Sequence, residues 1–412
     1  MACLVLITSL PAQERVRTSA TQLPIETFRH TPDAFFYVGP FQEVLSGSVG
    51  VQYTDNVNLS TDKISDLSFS LGLGLDTTWV ISHLNQLQFL VGGAITENFY
   101  GNGRDKVTFA IDPTSKIEFK FEVADFLQFR FYDQFSYEQN PTTDPTATNT
   151  ANLNSLTNTI GVGADADLNF AILSLSADYG YNSQSGTNVQ GQENPTTTGT
   201  RETVRFAPAL TFRASPTIVY GVDSTVTRST STDAANVNSL NSGAFIKGKL
   251  SREFEFDLAA GITLIDTKPS IPSTYYYSLA IRYQMTRHWQ LIFTASHDLI
   301  FTTGTNLTEE NIFRLGTKWN LTRFISFSAS PFVNFGDVKT TTFGVGNSGV
   351  NQGSYTLFGF EAGLEWNIRK RWSTGLSYNF VRRESDAAFG TGTTASNNYL
   401  QNTITFSIGY KF

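Results

Sequence analysis

The chain has 412 residues, of which 40% are hydrophobic and 13% aromatic, with a formal net charge of -7. It holds no run of about 18 uninterrupted apolar residues, which excludes a membrane-spanning helix, and no basic stripe to neutralise phosphates, which excludes a nucleic-acid partner. The single cysteine, Cys3, leaves no disulfide framework and no thiolate metal site.

In chain order, Ala2–Ala12 (ACLVLITSLPA) reads as the apolar core of a secretory signal without the usual basic stretch before it. Residues 1–20 are expected to form a removed leader that includes Cys3. Residues 21–43 precede the first strand. Their apolar patch at 34–38 is expected to dock on the periplasmic end of the fold, with a lumen plug or a free tail as alternatives.

From 44 to 412 one unit repeats: a stretch alternating apolar and polar residues, then a break. Period-two alternation is the strand signature, because successive side chains fall on opposite faces. In 67–79, Leu67, Phe69, Leu71, Leu73, Leu75 and Trp79 alternate with Ser68, Ser70, Gly72, Gly74, Asp76 and Thr78. The same holds for Phe254, Phe256, Leu258, Ala260, Ile262 and Leu264, and for the C-terminal run ending Phe406, Ile408, Tyr410 and Phe412. Marking every such stretch predicts strands near 44–54, 65–80, 86–99, 107–122, 126–138 and 156–169. Further ones follow near 171–182, 201–213, 217–229, 240–251, 253–266 and 274–285. The last six lie near 289–302, 309–320, 324–337, 355–367, 372–384 and 399–412.

The breaks alternate in length. Short ones occur at 82–85, 124–125, 214–216, 285–288, 321–323 and 369–371. Long ones, rich in Thr, Asn, Gly and Ser, occur at 140–155, 184–200, 229–239, 337–353 and 385–397. Tight periplasmic turns with long external loops are the pattern of outer-membrane barrels. All five tryptophans (Trp79, Trp289, Trp319, Trp366 and Trp372) fall beside short turns, as an interfacial girdle on the periplasmic side requires. Lipid offers no hydrogen-bond partner to a free strand edge, so the sheet must close. The expected fold is therefore all-β: a transmembrane antiparallel up-and-down β-barrel of about eighteen strands. The aromatic end at Tyr410 and Phe412 is the kind of terminal strand that barrel-assembly machinery receives.

With apolar positions facing lipid, the alternate set faces the lumen. Candidate lumen-lining residues are Lys116, Glu118 and Lys120 on the fourth strand, Arg130 on the fifth, and Arg205 on the eighth. They continue with Lys247, Lys249, Asp257, Arg282, Arg314, Glu361 and Glu365. Such a wall, in a barrel of porin width, suits passive diffusion of small hydrophilic solutes, with inward loops setting the constriction. Outer-membrane lipid and the assembly machinery are the other expected partners, and a trimer is one possible assembly. No cofactor, metal site or catalytic residue is expected: no G-x-S-x-G, H-E-x-x-H or P-loop occurs. The nearest approach to a catalytic pair is His297 with Asp298, expected to be a structural histidine near the outer interface.

The stretch Gly47-Ser48-Val49-Gly50-Val51-Gln52-Tyr53-Thr54-Asp55-Asn56-Val57 resembles the opening of β-barrel porins of the porin 2 type. These often begin with a Gly-rich amphipathic strand running into a Tyr-Asp-Asn-Val-like turn, and Thr54 stands where an acidic residue is common. The resemblance implies an outer-membrane channel, associated in some members with exopolysaccharide export. Such export, and transport of hydrophobic compounds past an N-terminal hatch, are the alternatives. The near-balanced inward charge speaks against an anionic polymer, and a TonB-dependent transporter is not expected, since no plug-sized segment precedes the first strand.

Overall fold

The computed structural model describes residues 14–15, 36–38, 41–57, 59, 63–82, 84–100, 106–140, 152–187, 199–232, 236–267, 273–301, 307–344, 347–368, 371–385 and 398–412. The proposed leader, apart from 14–15, and most of 21–43 lie outside these residues.

Eighteen antiparallel strands form one closed sheet. The first six are β1 (Phe41–Thr54), β2 (Asp66–Val80), β3 (Asn85–Tyr100), β4 (Lys106–Ile111 and Lys116–Ala124), β5 (Leu127–Asn140) and β6 (Asn152–Asp167). Next come β7 (Ala171–Thr187), β8 (Gly199–Ser215), β9 (Ile218–Ser231), β10 (Val237–Lys249), β11 (Phe254–Thr267) and β12 (Thr274–Thr286). The last are β13 (Trp289–Phe301), β14 (Leu307–Asn320), β15 (Ile325–Gly344), β16 (Asn347–Asn367), β17 (Trp372–Ser385) and β18 (Tyr399–Lys411). Each strand pairs with its sequence neighbour, and β18 returns to β1 from Thr403↔Thr54 to Lys411↔Ser46. Among the described residues no strand edge is left open, as the absence of hydrogen-bond partners in lipid demands. Phe36–Val38 adds a short ladder on Phe41–Glu43, at the periplasmic end of β1.

Burial follows the alternation. On β2, Leu67, Phe69, Leu71 and Leu73 are exposed outward, while Asp66 and Ser68 are buried. The tryptophans gather at the short-turn end. Trp289 pairs with Trp319 across β13 and β14, Trp79 packs on Phe41, and Trp372 packs on Tyr410 at 4.7 Å.

Two features depart from the sequence reading. The 337–353 break is mostly strand: β15 and β16 stay paired out to Gly344↔Asn347. Above the membrane no face needs to be apolar, so alternation vanishes while the backbone ladder continues. Second, β4 is interrupted at Asp112–Ser115. There the Asp112 carboxylate accepts from the Thr114 amide and hydroxyl, and Ser115 N–H returns to the Asp112 carbonyl. Gln134, on the lumen face of β5, donates to the Pro113 carbonyl at 2.7 Å, which places this turn inside the barrel.

Candidate functional site

The lumen wall is assembled from alternate positions of the strands, so an inward side chain meets its register partner on the next strand, a residue two along its own strand, or one two strands away. Lys116 and Lys120 flank Glu118, at 2.6 and 3.7 Å. Arg205 donates from Nε and Nη2 to one Asp178 oxygen, at 2.9 and 2.6 Å. Lys247 meets Asp257 at 3.0 Å. Glu255 is shared by Lys249 and, at 3.8 Å, by Arg282. Arg314 pairs with Glu361 at 2.8 Å and lies over the Phe332 ring at 4.9 Å. Glu365 accepts from Ser326 and Asn367. Arg130 sits against Gly163 and beside the Tyr132 ring, and its Nε lacks a hydrogen-bond partner.

The structure thus turns all twelve sequence-derived lumen candidates toward the same interior face. It groups most of them into ion pairs along the wall instead of bringing them to one point.

Several inward glycines act as seats for rings. Tyr132 lies on Gly161, Phe245 on Gly221, Tyr355 on Gly336 and Phe332 on Gly359, each so close that a Cβ would overlap the ring. These rings lie close against the wall.

The lumen differs along its axis. Toward the periplasm it is open on one side, where the side chains of Lys249 and Arg282 are 60% and 50% exposed, while Gln42, Thr78, Ile172 and Ser174 are buried. Toward the outside the inward side chains are buried on most strands. Asn98, Thr108, Thr203, Thr227, Asn241, Thr263, Tyr276, Thr308, Tyr355 and Arg383 all belong to that buried outer zone.

Loop 1 follows β1. Its Leu59 enters the lumen and packs on Phe332, Tyr355, Leu357 and Tyr399, with Val381 beside them. At the loop's root, Asp55 accepts from the Asn402 backbone and side-chain amides at 2.6 and 2.8 Å and from Lys63 at 3.1 Å. Sequence reading missed this insertion, because a single leucine in a polar loop has no periodic signal. The inward turn of β4 did carry a signal, the proline inside a strand run, Asp112-Pro113-Thr114-Ser115.

His297 lies on the outer wall near the external rim, covered by the rings of Tyr275 and Tyr277 at 4.3 and 5.9 Å. Its Nδ1 meets Asn311 and its Nε2 meets Glu309, both at 3.1 Å. Asp298, one residue on, points to the lumen by the alternation of the strand. The His–Asp pair offered by the sequence is therefore split between two faces.

A closed ladder with an apolar outer face, an indole girdle and a polar interior defines a bacterial outer-membrane barrel. No family model matches the chain, and no curated protein matches it. The porin 2 resemblance is corrected accordingly: it is confined to 47–57, and membership of that family is not supported. Among solved structures, the chain is similar to the siderophore receptor PirA from Acinetobacter baumannii at 10% identity and a TM-score of 0.48, covering 90% of this chain and 80% of that one. It is similar to the copper transporter OprC at 9% identity and 0.45, covering 92% and 81%. The alcaligin outer-membrane receptor FauA from Bordetella pertussis gives 10% and 0.42, covering 89% and 76%. At these values the likeness adds nothing to what the closed ladder already establishes.

Proposed function

We propose that this barrel is a non-enzymatic outer-membrane channel for small hydrophilic solutes. The observation that carries the reading is the wall itself: inward charges of both signs pair with neighbours on the same wall, and near the short-turn end the side chains of Lys249 and Arg282 stay 60% and 50% exposed. A core that filled the barrel would have drawn its charges across the axis. Structural pairing alone accounts for any one of these residues, and the channel reading rests on their arrangement around the wall. The expected partners are lipid outside, solute inside and the assembly machinery at the β18 end.

The burial of the outer zone favours a second reading, a channel closed at rest and opened by solute or by loop movement. The test is single-channel recording of the refolded protein in a planar bilayer, with reversal potentials under a salt gradient. Steady, weakly selective openings support a resting open pore, and brief rare openings support the closed one. Silence from protein with heat-modifiable gel mobility refutes both.

A further inference from the structure

The lipid-facing side of β5 and β6 carries a polar pair where the membrane asks for apolar side chains. Asp133 is the seventh residue of β5, with Leu127, Phe129 and Phe131 on the outward face toward the short turn and Phe135 and Tyr137 toward the outside. Its register partners are Ile117 on β4 and Ile160 on β6, which are 43% and 52% exposed. Asn158, between Leu156 and Ile160 on the outward face of β6, donates to one Asp133 oxygen at 2.6 Å and otherwise makes only a 3.4 Å contact with the Gln134 carbonyl. Among the described residues no other donor reaches that carboxylate. Glu43 and Glu309 also face outward, but each is the third residue of its strand, close to a rim where headgroups and water begin.

A carboxylate inside the apolar belt, satisfied by a single amide, is costly where lipid faces it and tolerable where protein does. Two further observations mark this side of the barrel. Toward the short turn from Asp133, Phe121 stacks on Phe119, Phe129 and Phe131 at 5.7, 5.3 and 6.2 Å, so the wall beside the polar pair is a continuous aromatic surface. All five tryptophans lie on the strands from β13 round to β2, and β3–β12 hold none. Indole rings anchor at the headgroup boundary, so the side without them is the side less committed to lipid.

We propose that the outward face of β4–β6 is an interface with a second copy of this chain, in an isologous dimer whose twofold axis runs along the membrane normal between β5 and β6. That symmetry decides the occupant. Half a turn about such an axis preserves depth and brings β5 of one copy opposite β6 of the other, so each Asp133 meets the partner's Asn158 at its own height. The second Asn158 N–H, which has only the distant Gln134 carbonyl within its own chain, then donates to the open side of the partner's carboxylate. A pair half-satisfied in one copy closes into a ring of two carboxylates and two amides in the dimer. The face is thus complementary to itself, which lipid is not. The interface does not depend on the channel reading, because a conducting barrel and a closed one would pair alike.

The test uses the full chain with Cys3→Ser, refolded and checked by heat-modifiable gel mobility. Sedimentation equilibrium in density-matched detergent should give a dimer. Its dissociation constant should rise about tenfold or more in Asp133→Leu, which loses both symmetry-related contacts. It should stay near the parent value in Asp133→Asn, which still accepts the amide. In lipid vesicles oxidised with copper–phenanthroline, Ile160→Cys, beside the axis, should form disulfide-linked dimers about tenfold faster than Leu71→Cys, which is equally exposed on the indole side. A monomer at every concentration, a trimer, a dimer indifferent to Asp133→Leu, or equal cross-linking of the two cysteines each overturns the proposal. If Asp133→Leu does not fold, Asn158→Leu takes its place.

Discussion

The Arg205–Asp178 pair gives the sharpest energetic test of how dry the lumen wall is. Arg205 on β8 and Asp178 on β7 are register partners, and their side chains are 15% and 7% exposed. Replacing Arg205 by Met keeps the apolar stem and leaves a carboxylate without its cation beside the Tyr132 ring. Breaking a buried pair by removing one partner costs about 3–5 kcal/mol, whereas replacing both partners by apolar groups is often near neutral. Arg205→Met alone should therefore destabilise strongly, and Arg205→Met with Asp178→Leu should recover most of the loss. Urea unfolding from detergent micelles, followed by tryptophan fluorescence and heat-modifiable mobility, reads both. If the single variant loses less than about 1 kcal/mol, the value typical of exposed pairs, this stretch of wall is hydrated and the reasoning from burial fails.

Other outcomes follow from the same structure. Burial works to raise the Asp55 carboxyl, but the Asn402 amides and Lys63 outweigh it and hold the group below its ordinary value of 3.8. A depressed carboxyl stabilises the fold above the ordinary value and loses that contribution as pH falls through the lowered one. The Asp55–Asn402 contact should thus hold at neutral pH and weaken only below about pH 4, read as amide hydrogen exchange at Asn402; weakening near about pH 6 would refute the contact's role. Gly336→Val unseats the Tyr355 ring and should cost about 1–3 kcal/mol in urea unfolding, while Gly363→Ala, which meets only the Ser328 hydroxyl at 3.0 Å, should be almost silent. Glu361→Gln leaves Arg314 without its carboxylate and should shift the reversal potential toward anions, with no shift if the Phe332 face alone holds the arginine. Deleting Phe412, which packs edge-on to Tyr410 and donates its N–H to the Leu45 carbonyl, should reduce assembly in cells more than refolding in detergent.

Where the membrane imposes a rule, the sequence was readable. Inside the apolar belt every outward position must be greasy, so Leu67, Phe69, Leu71 and Leu73 announce β2 to within a residue. The same rule makes the twelve lumen candidates legible, since a charge on the other face costs about 2–4 kcal/mol at mid-depth. The rule also has an exception: Asp133 faces outward on β5, between Ile117 and Ile160 in register, with Asn158 donating to it at 2.6 Å. Where the membrane stops, legibility stops too. The outer extensions of β15 and β16 alternate nothing, yet they stay paired to Gly344↔Asn347 within what reads as a long loop. Leu59 could not have been assigned, because its pocket draws on residues some three hundred positions later in the chain, and only closure of the sheet brings them together.

The pairing along the wall also limits what a charge census can say about selectivity. An ion pair closed at about 3 Å looks from the barrel axis like a small dipole, and in physiological salt its residual field fades within about 8 Å. Arg205–Asp178, Lys247–Asp257 and Arg314–Glu361 are therefore weak as separate charges. On the channel proposal, selectivity falls to the places where pairing is incomplete or the wall comes inward. Arg130 lies opposite Lys120 in register, a like-charge neighbour. The β4 turn at Asp112–Ser115 projects into the lumen a few residues away, beside Lys116. If the proposed channel conducts, this cationic spot beside the inward turn of β4 is where a permeating anion and cation should be told apart, and Arg130→Gln should shift the reversal potential toward cations.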